Sequence, residues 1–133
     1  RPARGETILI VDDDLAVRRA AARILAGSGY HLLEAGDGEE ALALAKQNRP
    51  SAIVTDLQMP RMTGLEFALS AKSDSVLCET PFILLTARSY LAAPDLLAST
   101  NIRAILAKPF SAREVTDKVG EILSQSSAAK KAA

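Results

Sequence analysis

The stretch Ala52-Ile53-Val54-Thr55-Asp56-Leu57-Gln58-Met59-Pro60 decides the architecture, because an apolar run ends in a carboxylate and then opens into a loop. A short apolar run bounded by turn residues reads as a strand buried on both faces, as in parallel sheets covered by helices. Open sheets of that kind collect their chemistry at the carboxyl ends of the strands, which is where Asp56 falls. Three other apolar runs end in polar residues of matching chemistry. Ile8-Leu9-Ile10-Val11 leads into Asp12-Asp13, Phe82-Ile83-Leu84-Leu85 into Thr86, and Ile105-Leu106-Ala107 into Lys108-Pro109. One strand edge would then gather three carboxylates, a hydroxyl and an ammonium.

The segments between these runs carry helical patterns, so the chain alternates strand and helix as βαβ units do. Asp14 is the expected N-cap of a first helix with Val17, Ala21, Ile24, Leu25 and Ser28 on one face and Gly29 as its left-handed stop. A second strand, His31 to Glu34, is followed by the turn Gly36-Asp37-Gly38 and a helix from Glu39 to Gln47 with Ala41, Leu42 and Ala45 inward. Pro50 ends that helix by pushing Arg49 away from helical angles. After Met59-Pro60-Arg61-Met62-Thr63-Gly64, the residues Leu65, Ala68, Leu69 and Lys72 repeat with helical spacing. A fourth helix is expected within Tyr90 to Ser99, with Pro94 restricting its start. Asn101 suits a left-handed turn before the fifth strand, Ala104 to Ala107. The last helix has the clearest start: Ser111 and Glu114 have capping-box spacing, and Phe110 and Val115 that of a hydrophobic staple. Its apolar face is Val115, Val119, Ile122 and Leu123. From Ser124 the composition turns to Ser, Ala and Lys, so residues 125–133 are expected to be a flexible tail or the start of a linker, and residues 1–7 an N-terminal extension. The expected domain is 8–124.

A chain of 133 residues fits one domain able to bury a core without disulfides or structural metal. Sixteen basic residues balance sixteen acidic ones, so no net field draws this segment to nucleic acid or an anionic membrane. No apolar stretch reaches the roughly twenty residues that cross a bilayer, and no signal peptide is evident. The expectation is a cytoplasmic segment which, beginning at Arg1, is a piece excised from a longer protein. Cys78 cannot make an intramolecular disulfide and reads as a small, partly buried apolar residue. His31, the sole histidine, reads as a solvated or structural side chain and cannot build a histidine metal cluster.

Three aspartates brought together repel, and one would be driven towards its protonated form unless a cation compensates. Mg²⁺ suits the donor set, since it prefers carboxylate, carbonyl and water oxygens at about 2.0–2.1 Å and often shares its site with a phosphoryl group. Asp13 and Asp56 are the expected direct ligands, Asp12 acts through water, and the backbone carbonyl of Gln58 supplies another vertex. The absence of nearby histidine or thiolate disfavours zinc. Lys108 and Thr86 can each reach a phosphoryl oxygen, balancing the charge that builds during transfer. Asp56 is then the nucleophile, and its attack on a phosphoryl donor gives an aspartyl phosphate that water later removes. Each group alone has a plain structural reading; Asp14 in particular reads as a cap.

Together these residues resemble a response-regulator receiver domain of two-component signalling, of the chemotaxis-regulator kind. The matching stretches are Ile8-Leu9-Ile10-Val11-Asp12-Asp13-Asp14, Asp56 with Met59-Pro60-Arg61-Met62-Thr63-Gly64, Leu84-Leu85-Thr86-Ala87, and Lys108-Pro109-Phe110, within a likeness spanning Ile8 to Leu123. The resemblance implies a (βα)5 doubly wound, flavodoxin-like fold: a five-stranded parallel sheet of order 2-1-3-4-5, with two helices on one face and three on the other. It also implies a Mg²⁺-dependent phospho-acceptor, charged at Asp56 by a phosphohistidine on a sensor histidine kinase or histidine phosphotransfer protein. Such a domain is a signalling part rather than a metabolic enzyme, catalysing only its own phosphorylation and dephosphorylation.

The match departs from the family at one position. The family's switch runs through the Thr86 position to an aromatic residue three places before the lysine, and here that place holds Ile105. Signalling is then expected to use the Thr86 to Pro94 loop, or the domain mainly relays phosphate. Gln58 and Arg88 occupy positions that flank the water path to the acyl phosphate in this family. Arg88 either shields phosphoryl oxygens or is a solvated surface arginine. Two other readings stand beside this one. An aspartyl-nucleophile phosphatase or phosphotransferase commonly carries an acid two residues after the nucleophile, where this chain has Gln58. A degenerate receiver would only bind partners, against which the retention of Asp12, Asp13, Asp56, Thr86 and Lys108 argues. An output domain or protein is a further expected partner, and Leu91, Leu96 and Leu97 around the fourth helix are either core or the interface of a weak dimer.

Overall fold

The computed structural model describes residues 5–87 and 98–132, with residues 126–132 by backbone alone. Five parallel strands form one sheet in the order β2-β1-β3-β4-β5. They are β1 (Thr7–Val11), β2 (His31–Ala35), β3 (Ala52–Asp56), β4 (Phe82–Thr86) and β5 (Ile102–Ala107). Four helices are described: α1 (Leu15–Gly27), α2 (Gly38–Asn48), α3 (Gly64–Lys72) and α4 (Ala112–Ala132). This is the flavodoxin-like arrangement expected from the motifs. No helix among the described residues is long and apolar enough to cross a membrane.

Side chains alternate across the sheet with the two-residue period of a strand, and this divides the core in two. Ile8, Ile10, Val54, Ile83 and Leu85 pack with Ala21 and Leu25 of α1 and with Val115, Val119 and Ile122 of α4. Leu9, Val11, Ile53 and Phe82 face the other way, onto Ala41 and Ala45 of α2 and Phe67, Ala68 and Ala71 of α3. Phe67 and Phe82 meet edge to face, with ring centroids 5.1 Å apart at 73°. Both rings are fully buried, and truncating either to alanine costs about 3–5 kcal/mol at such sites.

Local signals set most helix ends as expected. The Asp14 carboxylate accepts from the amides of Ala16 and Val17, Gly29 takes a left-handed φ of 97°, and Ser111 with Glu114 closes a reciprocal capping box. Several boundaries differ. Asp37 rather than Gly38 precedes α2, because its carboxylate caps the Glu40 amide. The inward face of α3 is Phe67, Ala68 and Ala71, whereas Leu69 is 36% exposed, since the large ring of Phe67 claims the sheet. The start of β5 is Ile102, because Asn101 does not adopt the left-handed conformation expected of it. Its buried amide instead donates to the Cys78 carbonyl and accepts from the Lys72 ammonium, so a tertiary partner replaces the local turn. The last helix continues past Ser124 to Ala132, since alanine and lysine propagate a helix well even without an apolar face. The helix expected within Tyr90 to Ser99 falls largely on residues 88–97, outside the described residues.

One contact carries the β3 strand end into position. Gly64, the first residue of α3, donates its amide to the Leu57 carbonyl at 2.8 Å, and an added Cβ would overlap the Asp56 carbonyl oxygen. Thr63 and Glu66 lock the same helix start with a capping box. Gly64→Ala should therefore lower stability by at least ~2 kcal/mol, because the clash is with backbone that cannot swing aside. Urea unfolding measures this as a reduced midpoint at unchanged slope.

Candidate functional site

Register places the chemistry. Val11 lies opposite Thr55, Asp56 opposite Leu85, and Thr86 opposite Ala107. The residues one step beyond or at these pairs, Asp12, Asp56, Thr86 and Lys108, consequently share one edge of the sheet. Backbone bonds hold this edge just past the strands: the amides of Leu57 and Lys108 donate to the carbonyls of Leu85 and Thr86, each at 3.0 Å, and that of Asp12 to Ala35 at 3.2 Å.

The Lys108 ammonium stands between two buried carboxylates. It lies 2.8 Å from Asp12 Oδ2 and 3.2 Å from Asp56 Oδ1, with Asp12 only 1% and Asp56 7% exposed. Asp13, which is exposed, adds a third carboxylate, and one oxygen from each of Asp12, Asp13 and Asp56 lies within 4.8 Å of the others. Three negative groups thus face one positive group. The consequence appears in protonation. Burial, reinforced by Asp12, raises the Asp56 pKa above its ordinary 3.8 despite the opposing pull of Lys108. Burial alone would lower that of Lys108, but the hydrogen bond and charge of Asp12, with those of Asp56, raise it above 10.5.

The remaining positions fall around this centre. Thr86 is buried, at 1% exposure, at the end of β4. Gln58 is exposed, two residues along the loop from Asp56, and Ile105 is half-buried opposite Leu84. Asp14 is the cap of α1, as expected, and donates its own amide to Asp12 Oδ1 at 2.9 Å. Arg88 lies outside the described residues. The Lys108–Pro109 peptide is cis. Cys78 is partly buried, in the segment that leads into the start of β4, and His31 is exposed at the start of β2, opposite Thr7.

Two participants escape a reading of strand ends alone. Arg18 donates through Nη1 to the Asp12 carbonyl at 2.9 Å and through Nε to Glu34 at 3.1 Å. Its place one turn after Asp14, on the helix that leaves the acidic run, was the available signal. Gly64 supports Asp56 from below, and its signal was a glycine directly after a capping threonine. The oxygen-only donor set of Asp12, Asp13 and Asp56 fits a hard divalent cation such as magnesium, which takes carboxylate, carbonyl and water oxygens as ligands.

Comparison with known proteins agrees with this geometry. A family model described as the response regulator receiver domain matches residues 8–120. The response regulator MprA of Mycobacterium sp. strain KMS is 38% identical over 120 residues, covering 90% of this chain and 51% of the relative. The chain spans about half the length of the curated relatives it matches. Among solved structures, the chemotaxis response regulator CheY4 of Vibrio cholerae has a TM-score of 0.82 at 29% identity, covering 90% of this chain and 99% of that one. A CheY-like receiver domain protein from Methanospirillum hungatei JF-1 has a TM-score of 0.83 at 25% identity, covering 93% and 98%. With its acidic edge, its strand order and a family match across most of its length, the chain belongs to the response regulator receiver domains of two-component signal transduction.

Proposed function

We propose that the domain is a phospho-acceptor in a phosphorelay and that Asp56 is the residue modified. The observation that carries this reading is the Lys108 bridge between Asp12 and Asp56, with Asp13 beside it, at the carboxyl edge of the sheet. The donor is a phosphohistidine on a sensor histidine kinase or a histidine phosphotransfer protein. An Asp56 carboxylate oxygen attacks phosphorus, the P–N bond breaks, and the imidazole leaves. Lys108 keeps its bond to Asp12 and turns its remaining donors to a phosphoryl oxygen, while the Thr86 hydroxyl serves another. Asp13, Asp56, the Gln58 carbonyl and, through water, Asp12 would hold Mg²⁺, which neutralises charge on the phosphoryl oxygens when bound. Water later cleaves the acyl phosphate and restores Asp56.

The greater length of the curated relatives supports a parent protein with a further output portion. The balanced charge of this segment argues against its binding nucleic acid directly. Exposed Gln58, in place of a second acid, favours a receiver over an aspartyl phosphatase.

Incubation with acetyl phosphate and Mg²⁺, followed by intact mass, should show one added phosphoryl group on the wild type and none on Asp56→Asn or after chelation of the metal. Unmodified wild type under these conditions rejects the acceptor role. Steady turnover of small phosphate esters in excess over protein would instead favour the phosphatase.

Stability without metal gives an independent check. The raised pKa of Asp56 means that the folded state holds this proton more tightly than the unfolded chain does. Its contribution to stability therefore falls as pH rises from 3.8 through the higher folded value, and the penalty is complete above it. Lys108 follows the same direction in a higher window: its stabilising contribution is full below 10.5 and is lost as pH rises through its higher folded value. At neutral pH in metal-free buffer, Asp56→Asn should accordingly raise Tm. A lower Tm in calorimetry would contradict the view that burial, reinforced by Asp12, outweighs the pull of Lys108 at Asp56.

A further inference from the structure

We propose that Arg18 is a positioning residue: with Glu34 it clamps the Asp12–Asp13 backbone and so presets the acidic cluster for a divalent cation. This rests on the metal-dependent reading above and names a residue through which that site is built.

The argument begins at Asp13. Among the described residues no hydrogen bond or ion pair holds its exposed carboxylate, although one of its oxygens is within 4.8 Å of those of Asp12 and Asp56. Its position consequently depends on the backbone that carries it. Asp12, the preceding residue, is tied at both of its peptide groups to the end of β2. Its amide donates directly to the Ala35 carbonyl at 3.2 Å. Its carbonyl, in the peptide shared with Asp13, accepts from Arg18 Nη1 at 2.9 Å, and Arg18 Nε is held by Glu34 at 3.1 Å. Rotation of that shared peptide would carry the Asp13 side chain with it. Arg18 therefore fixes the direction in which Asp13 leaves the strand.

Chemistry explains why arginine occupies this place. The planar guanidinium addresses a carbonyl with one nitrogen and a carboxylate with another, whereas an ammonium is a single point of charge. The Arg18 side chain is only 17% exposed, so its orientation is defined by neighbours rather than by solvent. Arg19 also reaches Glu34, at 3.3 Å, but is 65% exposed and has no bond to Asp12. It serves as the control.

Charge and position make opposite predictions, which makes the proposal testable. Removing a cation near three carboxylates should tighten Mg²⁺ binding if electrostatics governs. Removing a support should weaken it, by about tenfold, as loss of groups that orient metal ligands commonly does. Mg²⁺ affinity is to be measured by titration calorimetry on unphosphorylated protein, with metal-free Tm recorded for each variant. Arg18→Ala is expected to weaken binding about tenfold, Arg18→Lys to fall between it and wild type, and Arg19→Ala to remain within about twofold. Should Arg18→Ala not fold, Glu34→Gln frees one side of the clamp and is expected to weaken binding about threefold. Affinity that is unchanged or tighter in Arg18→Ala and Glu34→Gln overturns the clamp, as does a lowered Tm with no loss of affinity. Asp13→Asn separates the two levels of argument. If wild type binds Mg²⁺ and Asp13→Asn does not, the metal site stands whatever Arg18 does; if wild type binds none at millimolar concentration, both readings fall.

Discussion

The interaction on which the rest of this structure depends is the bridge from one ammonium, Lys108, to two buried carboxylates, Asp12 and Asp56. The three groups come from the ends of three strands, and the pair Asp12 and Lys108 is separated by most of the chain. Taking carboxylates out of water is costly unless a partner is held close by. Here that partner directly follows β5 and its amide is bonded to Thr86, so the sheet must bring all three ends level before the bridge can form. Its balance is incomplete, because Asp13 adds a third negative group. The site thus carries an excess of negative charge on an oxygen-only set of side chains that could hold a metal ion.

The scaffold makes that balance possible by shielding it from below. Strands buried on both faces give the edge a rigid base, and the two apolar cores divide along the alternation of β1 and β4. Three of the four strand ladders continue one bond past the strand, through the amides of Leu57, Lys108 and Asp12. Loop residues that carry chemistry therefore inherit the precision of the sheet. Gly64 adds a support that no other residue type supplies, because the Asp56 carbonyl occupies the space of a side chain. Arg18 does the corresponding work at β1, reaching across from α1 to the Asp12 carbonyl.

Much of this was legible in the order of residues. Apolar runs of three or four ending in Asp, Thr or Lys are a local pattern, and a parallel sheet turns that pattern into proximity. Caps at Asp14 and Ser111 were equally legible, because each is a bond between residues two to four apart. Asn101 and Phe67 were not. Asn101 was read from its tolerance of left-handed geometry, yet its partners, Lys72 and Cys78, lie in another part of the chain. On α3 the helical spacing of Leu65, Ala68, Leu69 and Lys72 is compatible with an inward face that leaves Phe67 out. A ring opposite, on Phe82, decided between the two faces.

The amino-acid order by itself determined the strand and helix sequence, the chemical identity of the site groups and their arrival at one edge, since these follow from short-range periodicity and from the handedness of βαβ connections. Only the tertiary structure decided which groups share charge and which backbone atoms are held. That Lys108 spans Asp12 and Asp56, that Arg18 grips the Asp12 carbonyl and that Gly64 must lack a side chain are all consequences of distance between remote segments. Such distances are fixed by register and packing, and no local propensity encodes them.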